Sequence, residues 1–406
     1  MIPLASPALL RVERGQTCSG CGLCAAIAPT AVRMAQQPPG YLRPEQSAPL
    51  TDAQEAGIAA ACPGLSVDIQ TQAPVDDLLW GPSHFTGTGF VTDPALRHQA
   101  SSGGVISGLL VHALTTGLVD FVVQTGADPI VHTGNRTVVS NTAADVFDAA
   151  GSRYAASSPL AELETWLSAP GRFAFVGKPC DVAALRARAR HDPRIDAKVP
   201  LMLAFFCAGI PSARANGRLL DAMGAKRDDV TGFRYRGDGW PGYATATMAD
   251  GSTRRMSYDA SWGQILSKEV QFRCKLCADA VGRAADVACA DAWYGDEKGY
   301  PSFQETDGRS LIMTRTSAGL ALLDSARAAG SIEATPLAIT EIVRMQPHQA
   351  RRKRQILSRL AAMAVVGRPV PRYRGLQLWA AAARENPVEQ ARSFAGLVRR
   401  FMQGRA

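Results

Sequence analysis

Arg172-Phe173-Ala174-Phe175-Val176-Gly177-Lys178-Pro179-Cys180-Asp181 opens the stretch that settles the fold class. Its first six residues are an apolar run closed by a glycine, the pattern of a strand buried on both faces. A helix-like segment follows over residues 181–190, with Asp181 placed as its N-cap. Residues 199–207 then form a second apolar, strand-like run. Outward from this unit, residues 105–115 read as an apolar helix ending at Gly117, and residues 118–124 as another strand. Strands alternating with helices at such spacing predict an α/β core with mainly parallel pairing. The rhythm breaks over residues 231–300, where aromatic loops surround a hairpin predicted between Thr245 and Met256 about Asp250-Gly251.

The cysteines carry the chemistry. Cys18, Cys21 and Cys24 recur at every third position with Gly20 and Gly22 between them, and Cys62 follows, backed by Pro63. Three closely spaced thiolates plus a distant fourth beside a proline is the ligand pattern of a [4Fe–4S] centre, with zinc as the competing reading. A helix-like stretch over residues 51–61 brings Cys62 back to the loop. Four more cysteines stand where they can converge. Cys180 and Cys207 end apolar runs, and Cys274 and Cys277 form a CxxC pair. On residue types alone they fit either a second cluster or inert core positions. Cys289, the ninth, is a rival ligand.

With 46% hydrophobic and 20% charged residues in 406, the chain is globular and long enough for two or three domains. No secretory leader is evident at the N-terminus. Nine cysteines in that context predict a reducing cytoplasm and metal ligation, not disulfides. The net charge of +8 is unevenly spread: residues 341–406 hold 14 Lys/Arg against 3 Asp/Glu, leaving the body nearly neutral. Nucleic acid is the reflex partner for such a tail, but no nucleic-acid motif accompanies it. One helix is predicted over residues 349–364, with Ile356, Leu357, Leu360 and Met363 on a single face. It reads either as docked on the body with a solvated face, or as a membrane-surface or partner contact.

Ser101-Ser102-Gly103-Gly104 leads directly into the apolar helix, with Ser107 one turn on. Such an end offers unpaired N–H groups and hydroxyls to an anion, or simply caps a tightly packed helix. Arg153 and Tyr154 lie in a Gly/Ser loop suited to a phosphate and a ring contact. The aromatic loop over residues 233–243 serves either to pack against the body or to stack on a flat ring.

These residues together resemble the coenzyme F420 hydrogenase/dehydrogenase beta-subunit family, whose wider membership includes ferredoxin-linked chlorophyll-pathway reductases. The resemblance spans most of residues 15–340. It rests on the N-terminal cysteines, Ser102-Gly103-Gly104, Gly177-Lys178-Pro179-Cys180, Phe206-Cys207, and Cys274/Cys277 followed by Ala285-Asp286-Val287. It implies a ferredoxin-like unit over residues 1–75, an FAD-binding α/β core with an inserted hairpin over residues 76–340, and a helical basic extension over residues 341–406. Ser101, Ser102, Gly103, Gly104 and Ser107 become phosphate-side candidates, with Gly177 and Lys178 near the flavin and Arg153 and Tyr154 as further contacts. Cys180, Cys207, Cys274 and Cys277 become the ligands of a second [4Fe–4S] cluster. Lys178 stands where the family carries a smaller residue, and Cys289-Ala290-Asp291 replaces a glycine-containing turn.

The expected activity is oxidoreduction between a ferredoxin-like one-electron carrier and an organic two-electron substrate, coenzyme F420 among them. Lys178 is the candidate to stabilise charge on reduced flavin. The rival reading is an electron-transfer subunit that docks a partner oxidoreductase. Of other partners, nucleic acid is disfavoured, and a membrane surface is a further option for the basic tail.

Overall fold

The computed structural model describes residues 6–295, 302 and 304–404. Its centre is an eight-stranded sheet made of β1 (Phe85–Val91), β2 (Phe121–Ala127), β3 (Asn135–Ser140), β4 (Phe173–Gly177), β5 (Leu201–Phe205), β6 (Val287–Asp291), β7 (Ser310–Thr314) and β8 (Ile332–Pro336). The strand order is β8-β1-β7-β6-β5-β4-β2-β3. The four central strands β2, β4, β5 and β6 run parallel, whereas β3 on one side and β7, β1 and β8 on the other pair antiparallel. The prediction of mainly parallel pairing therefore holds only for the middle. Parallel strands must be covered on both faces, and β4 and β5 carry the apolar runs that permit this.

Alternation along these strands builds two cores. Phe121, Val123, Phe173, Phe175, Met202 and Ala204 face one way and pack with Val182 and Leu185 of helix α2 (Pro179–Ala189). Val122, Ala174, Val176, Leu201, Leu203 and Val287 face the other way, against Leu109 and Leu110 of α1 (Val105–Thr115) and against the helix Ser317–Ala328. Successive side chains of a strand point to opposite faces, so every second residue joins the same core. Asp286, just before β6, ties the layers: Arg186 of α2, the Met202 amide and the Thr316 hydroxyl all donate to its carboxylate.

Two local expectations are corrected. Asp181 is not the N-cap of α2; Lys178 occupies that position, Pro179 starts the helix, and the Asp181 carboxylate accepts from the Lys178 amide one turn in. Proline needs no N–H partner in the first turn, so the helix starts earlier than an aspartate cap implies. The tail helix is two helices, α3 (Pro347–Arg354) and α4 (Ile356–Val365), broken at Gln355. The hairpin is present as Tyr243–Met248 paired with Thr253–Ser257.

The basic tail lies on the body. Arg352 of α3 donates to the carbonyls of Cys207 and Ala208, Arg359 of α4 donates to that of Lys275, and the short strand Arg372–Arg374 pairs in parallel with Ser66–Asp68. The last helix, α5 (Pro387–Met402), packs Leu397 against Phe272 and Met363. Among the described residues no helix is long and apolar enough to cross a membrane.

Candidate functional site

Parallel neighbours end at the same edge of the sheet, which is where open α/β folds place their ligands. Strand β4 ends at Gly177 and β5 at Phe205, so Cys180, at the start of α2, and Cys207, two residues beyond β5, emerge side by side. The short helix Phe272–Lys275 supplies Cys274, and the turn after it supplies Cys277. All four line one cavity, together with Lys178, Arg273, Arg352 and Ser19.

A second cavity of similar size is lined by Cys18, Cys21, Cys24 and Cys62, again with Ser19 in its wall. The loop that builds it depends on glycine. Gly22 has φ of 89°, and a Cβ there would lie 2.7 Å from the Ala161 amide nitrogen. Ser158 donates to the Gly20 carbonyl and the Leu160 amide to that of Cys21, fixing the loop to the body. Helix Asp52–Ala61, closed by a Thr51/Gln54 capping box, delivers Cys62.

The two sets differ in what faces their sulfurs. In the first, the backbone amides of Gly20, Leu23 and Ala25 donate to Cys18, Cys21 and Cys24, and those of Gly64 and Leu65 to Cys62. Burial pushes the Cys21 thiol up to about 12, with Cys62 adding to it, and the Cys62 thiol up to about 11, with Cys18 adding to it. In the second set, burial raises Cys207 to about 12, reinforced by Cys274 and Cys277, while Arg273 and Arg352 oppose the rise at Cys277. Thiols that raise one another in this way converge on one space, and a cationic core is what lets such a set ionise together. Among the described residues no group of three or more His, Cys, Asp or Glu is arranged to hold a metal ion. Each set of four cysteines lines a cavity of its own.

Lys178 faces the second cavity. Its ammonium lies 2.7 Å from Asp181 and donates to Ser157; burial works against its charge, but the carboxylate and neighbouring cysteines outweigh that and hold it protonated. Gly177, at the end of β4, is packed against Phe175 and Asp181. Cys289 is elsewhere: it is buried in the α1-side core, paired in register with Phe205 and Ile312.

The remaining candidates sit in a neighbouring region. Gly103 is required by close approach, since a Cβ there would meet the Gly89 carbonyl at 2.5 Å and the Ser310 amide at 2.6 Å; Gly104 is left-handed. Ser102 donates to the Arg309 carbonyl, and the Ser101 hydroxyl accepts from the Ser152 amide. Ser107 is half-buried on α1. Arg153 is committed to Asn135 and to the carbonyls of Phe233, His132 and Gly134. Tyr154 packs on Tyr235 and Trp262.

Sequence reasoning missed the cations and the cleft they line. Tyr258, Trp262 and Trp293 form one wall of a large cleft that reaches Cys274; Arg351, Arg352, Arg359, Arg392 and Arg400 of the tail line the other. Burial, with Arg352, Arg400 and Arg351 adding to it, lowers Arg359 to about 10, while Arg351 and Arg392 both pair with Glu389. Behind the aromatic wall, the buried Arg236 forms a two-pronged pair with Asp291 and stacks on Tyr258 and Trp293. The excess of Lys/Arg over residues 341–406 was the legible signal for these cations, but not the cleft they line.

Two sequence models match the chain: the N-terminal part of the coenzyme F420 hydrogenase/dehydrogenase beta subunit over residues 86–164, and the C-terminal part over residues 171–339. The first cysteine set and the tail lie outside both. The chain is 24% identical over 290 residues to the coenzyme F420 hydrogenase subunit beta of Methanothermobacter thermautotrophicus, covering 69% of this chain and 95% of that protein. It is 22% identical over 229 residues to the F420-dependent formate dehydrogenase subunit beta of Methanocaldococcus jannaschii, covering 54% of this chain and 56% of that protein. It thus spans only about half of the second relative. The fold resembles a chain of the F420-reducing [NiFe] hydrogenase complex from Methanosarcina barkeri, at a TM-score of 0.55 and 21% identity, covering 70% of this chain and 95% of that one.

Proposed function

The chain belongs to the coenzyme F420 hydrogenase/dehydrogenase beta-subunit family, and from that membership we propose that it is an iron–sulfur flavoprotein oxidoreductase. It would link a ferredoxin-like one-electron carrier to an organic two-electron substrate or a deazaflavin. The observation that supports this best is the pair of four-cysteine cavities, separated by a single shared residue, Ser19.

Cys18, Cys21, Cys24 and Cys62 would hold one [4Fe–4S] cluster, and Cys180, Cys207, Cys274 and Cys277 the other. When bound, such clusters supply single electrons and a flavin such as FAD supplies a two-electron store. The backbone amides around the first set stabilise ionised sulfur there. Lys178 holds a fixed positive charge beside the second set, locked by Asp181. The cation-rich cleft beside Cys274 is suited to an anionic, ring-bearing ligand, with Trp262 and Tyr258 as stacking faces and Tyr154 as their support. The Ser101–Ser107 segment offers a phosphate its backbone N–H groups, because the Ser101 and Ser102 hydroxyls are engaged within the protein.

An anaerobic absorption spectrum with iron and flavin quantified tests this reading. Cluster absorption, about eight irons per chain and flavin that bleaches with dithionite are the expected result; a colourless reconstituted protein overturns it. A second reading is an electron-transfer subunit of a larger hydrogenase or dehydrogenase complex, which the relatives' own assemblies favour. It predicts no turnover by the isolated chain.

A further inference from the structure

The cleft between the aromatic wall and the tail carries a charge that the protein's own groups do not balance. Seven lysines and arginines line it against two carboxylates, Glu389 and Asp259. Glu389 is taken by Arg351 and Arg392, and Asp259 accepts from the Gln264 side chain in its own helical turn. Among the described residues no carboxylate pairs with Lys275, Arg359 or Arg400. Arg359 is held in place by neutral acceptors instead: the Lys275 carbonyl, the Ser393 hydroxyl and the Gln355 side chain. The three charges are neighbours, since beyond burial Arg400 and Arg359 both weigh against the Lys275 ammonium, and Arg400 also weighs against Arg359. Neighbouring cations without counter-charge repel one another, and an arriving anion relieves that repulsion.

Helix α5 presents one stripe to this cleft, from Glu389 and Arg392 through Gly396 to Arg400, at helical spacings of three and four. Gly396 lies in the interior of a 16-residue helix, where glycine costs roughly 1 kcal/mol relative to alanine. Packing does not call for it. A Cβ built at Gly396 meets nothing within 4 Å, whereas one at Gly22 or Gly103 would collide with backbone. The helix surface is therefore bare between Arg392 and Arg400, and a bare backbone is what permits close approach by a group from outside.

The opposite wall is flat. Tyr258 and Trp293 stack with ring centroids 5.5 Å apart, and Trp262 lines the same side. The space between the walls, about 940 Å³, is the size of a small-molecule site, roughly 300–1,000 Å³. One carboxylate would leave most of the cationic charge unanswered, whereas a diphosphate matches it. Gly396, Arg359 and Arg400 all lie beyond residue 339, where the family match ends, so this wall belongs to this chain.

We propose that the cleft is a binding site for a nucleoside-diphosphate-type ligand, an aromatic ring joined to a diphosphate. The diphosphate lies on Lys275, Arg359 and Arg400 across the bare surface at Gly396, and the ring lies against Trp262 and Tyr258. The inference rests on the proposed function in one respect: this group is the handle by which the organic two-electron substrate is held, with its far end toward Cys274. Binding of the handle itself requires no iron and no electron. The phosphate-side candidates for the flavin, Ser101 to Gly104, are not in the lining of this cleft.

The test is isothermal titration calorimetry of the full chain, reconstituted with iron, sulfide and flavin, using ADP, inorganic pyrophosphate and adenosine as probes. ADP is expected to bind one site per chain, pyrophosphate more weakly and adenosine weakest, with ADP affinity falling as salt is raised. Arg400→Gln breaks no hydrogen bond or ion pair among the described residues. It is expected to weaken ADP about tenfold and to leave iron and flavin content unchanged. Gly396→Glu has open space for its side chain and is expected to weaken ADP further, by setting a carboxylate among the cations. Gly396→Ala is expected to raise thermal stability and to keep the site. A loaded wild type that binds neither ADP nor pyrophosphate overturns the site, as does ADP binding that is the same in Arg400→Gln, Gly396→Glu and wild type. Loss of flavin from those two variants gives the cations to the flavin and overturns it equally. A wild-type chain that takes up neither iron nor flavin defeats the proposed function, and the same variants titrated without cofactors then decide the site separately.

Discussion

The two cysteine sets hold the same four thiols around cavities of similar size, yet they are stabilised by different means. The N-terminal set is wrapped by its own backbone: glycines bend the loop, and amides from residues close in sequence aim at each sulfur. The second set is assembled from three distant segments at a sheet edge and answered by full charges on Lys178, Arg273 and Arg352. A local wrap needs only sequence neighbours to be right. An assembled set needs the whole core, and in return it can draw on side chains from anywhere in the fold, including the tail. Backbone dipoles thus face the first set, and side-chain cations line the second.

The comparison breaks most visibly at the ligands. Cys207→Ser is expected to remove about half of the bound iron and to abolish flavin reduction by a one-electron donor, whereas Cys62→Ser is expected to remove a similar share yet leave flavin reducible by dithionite. Iron analysis with stopped-flow bleaching separates the two. Lys178→Met is expected to cost about 3–5 kcal/mol of stability, because it strands the Asp181 carboxylate in the interior; denaturant unfolding of the iron-free chain measures it. Gly22→Ala forces a side chain into a left-handed residue pressed against Ala161, at a cost of about 1–3 kcal/mol. Iron loss confined to the N-terminal set is the expected spectroscopic sign. The smallest effect is expected from Arg352→Gln: in a redox titration of the iron-reconstituted chain it should lower the midpoint of the second centre and leave the first unmoved. Equal movement of both centres would show that the charge contrast between the sites is not local.

Legibility in the sequence followed the same divide. The CxxCxxC spacing, the returning Cys62 and the helix over residues 51–61 are consecutive-residue patterns, and they could be read directly. So could α1, the strand at 173–177 and the hairpin, because period and turn chemistry are local. The convergence of Cys180 and Cys207 could be argued only from a parallel sheet whose strand order no single sequence states. Antiparallel pairing at the sheet edges escaped the alternation rule, since β7 and β8 carry no sign of which neighbour they meet. Arg153 looked like a phosphate ligand by residue type; its place in the fold commits it to carbonyls of Phe233, His132 and Gly134. The tail looked like an appendage by charge. Its arginines are used on Cys207, Ala208 and Lys275, contacts that span some 80 to 145 residues.

By itself, the order of residues determined the thiol-bearing loops, the α/β alternation and the excess of positive charge at one end, because each is a property of near neighbours. Tertiary structure alone decided that Ser19 stands between two cavities, that Cys289 is turned into the opposite core, and that Lys178 and Arg352 face one cysteine set while Arg273 reaches both. Those are relations between segments far apart in the chain. They exist only once burial of the two sheet faces has fixed which strand lies beside which.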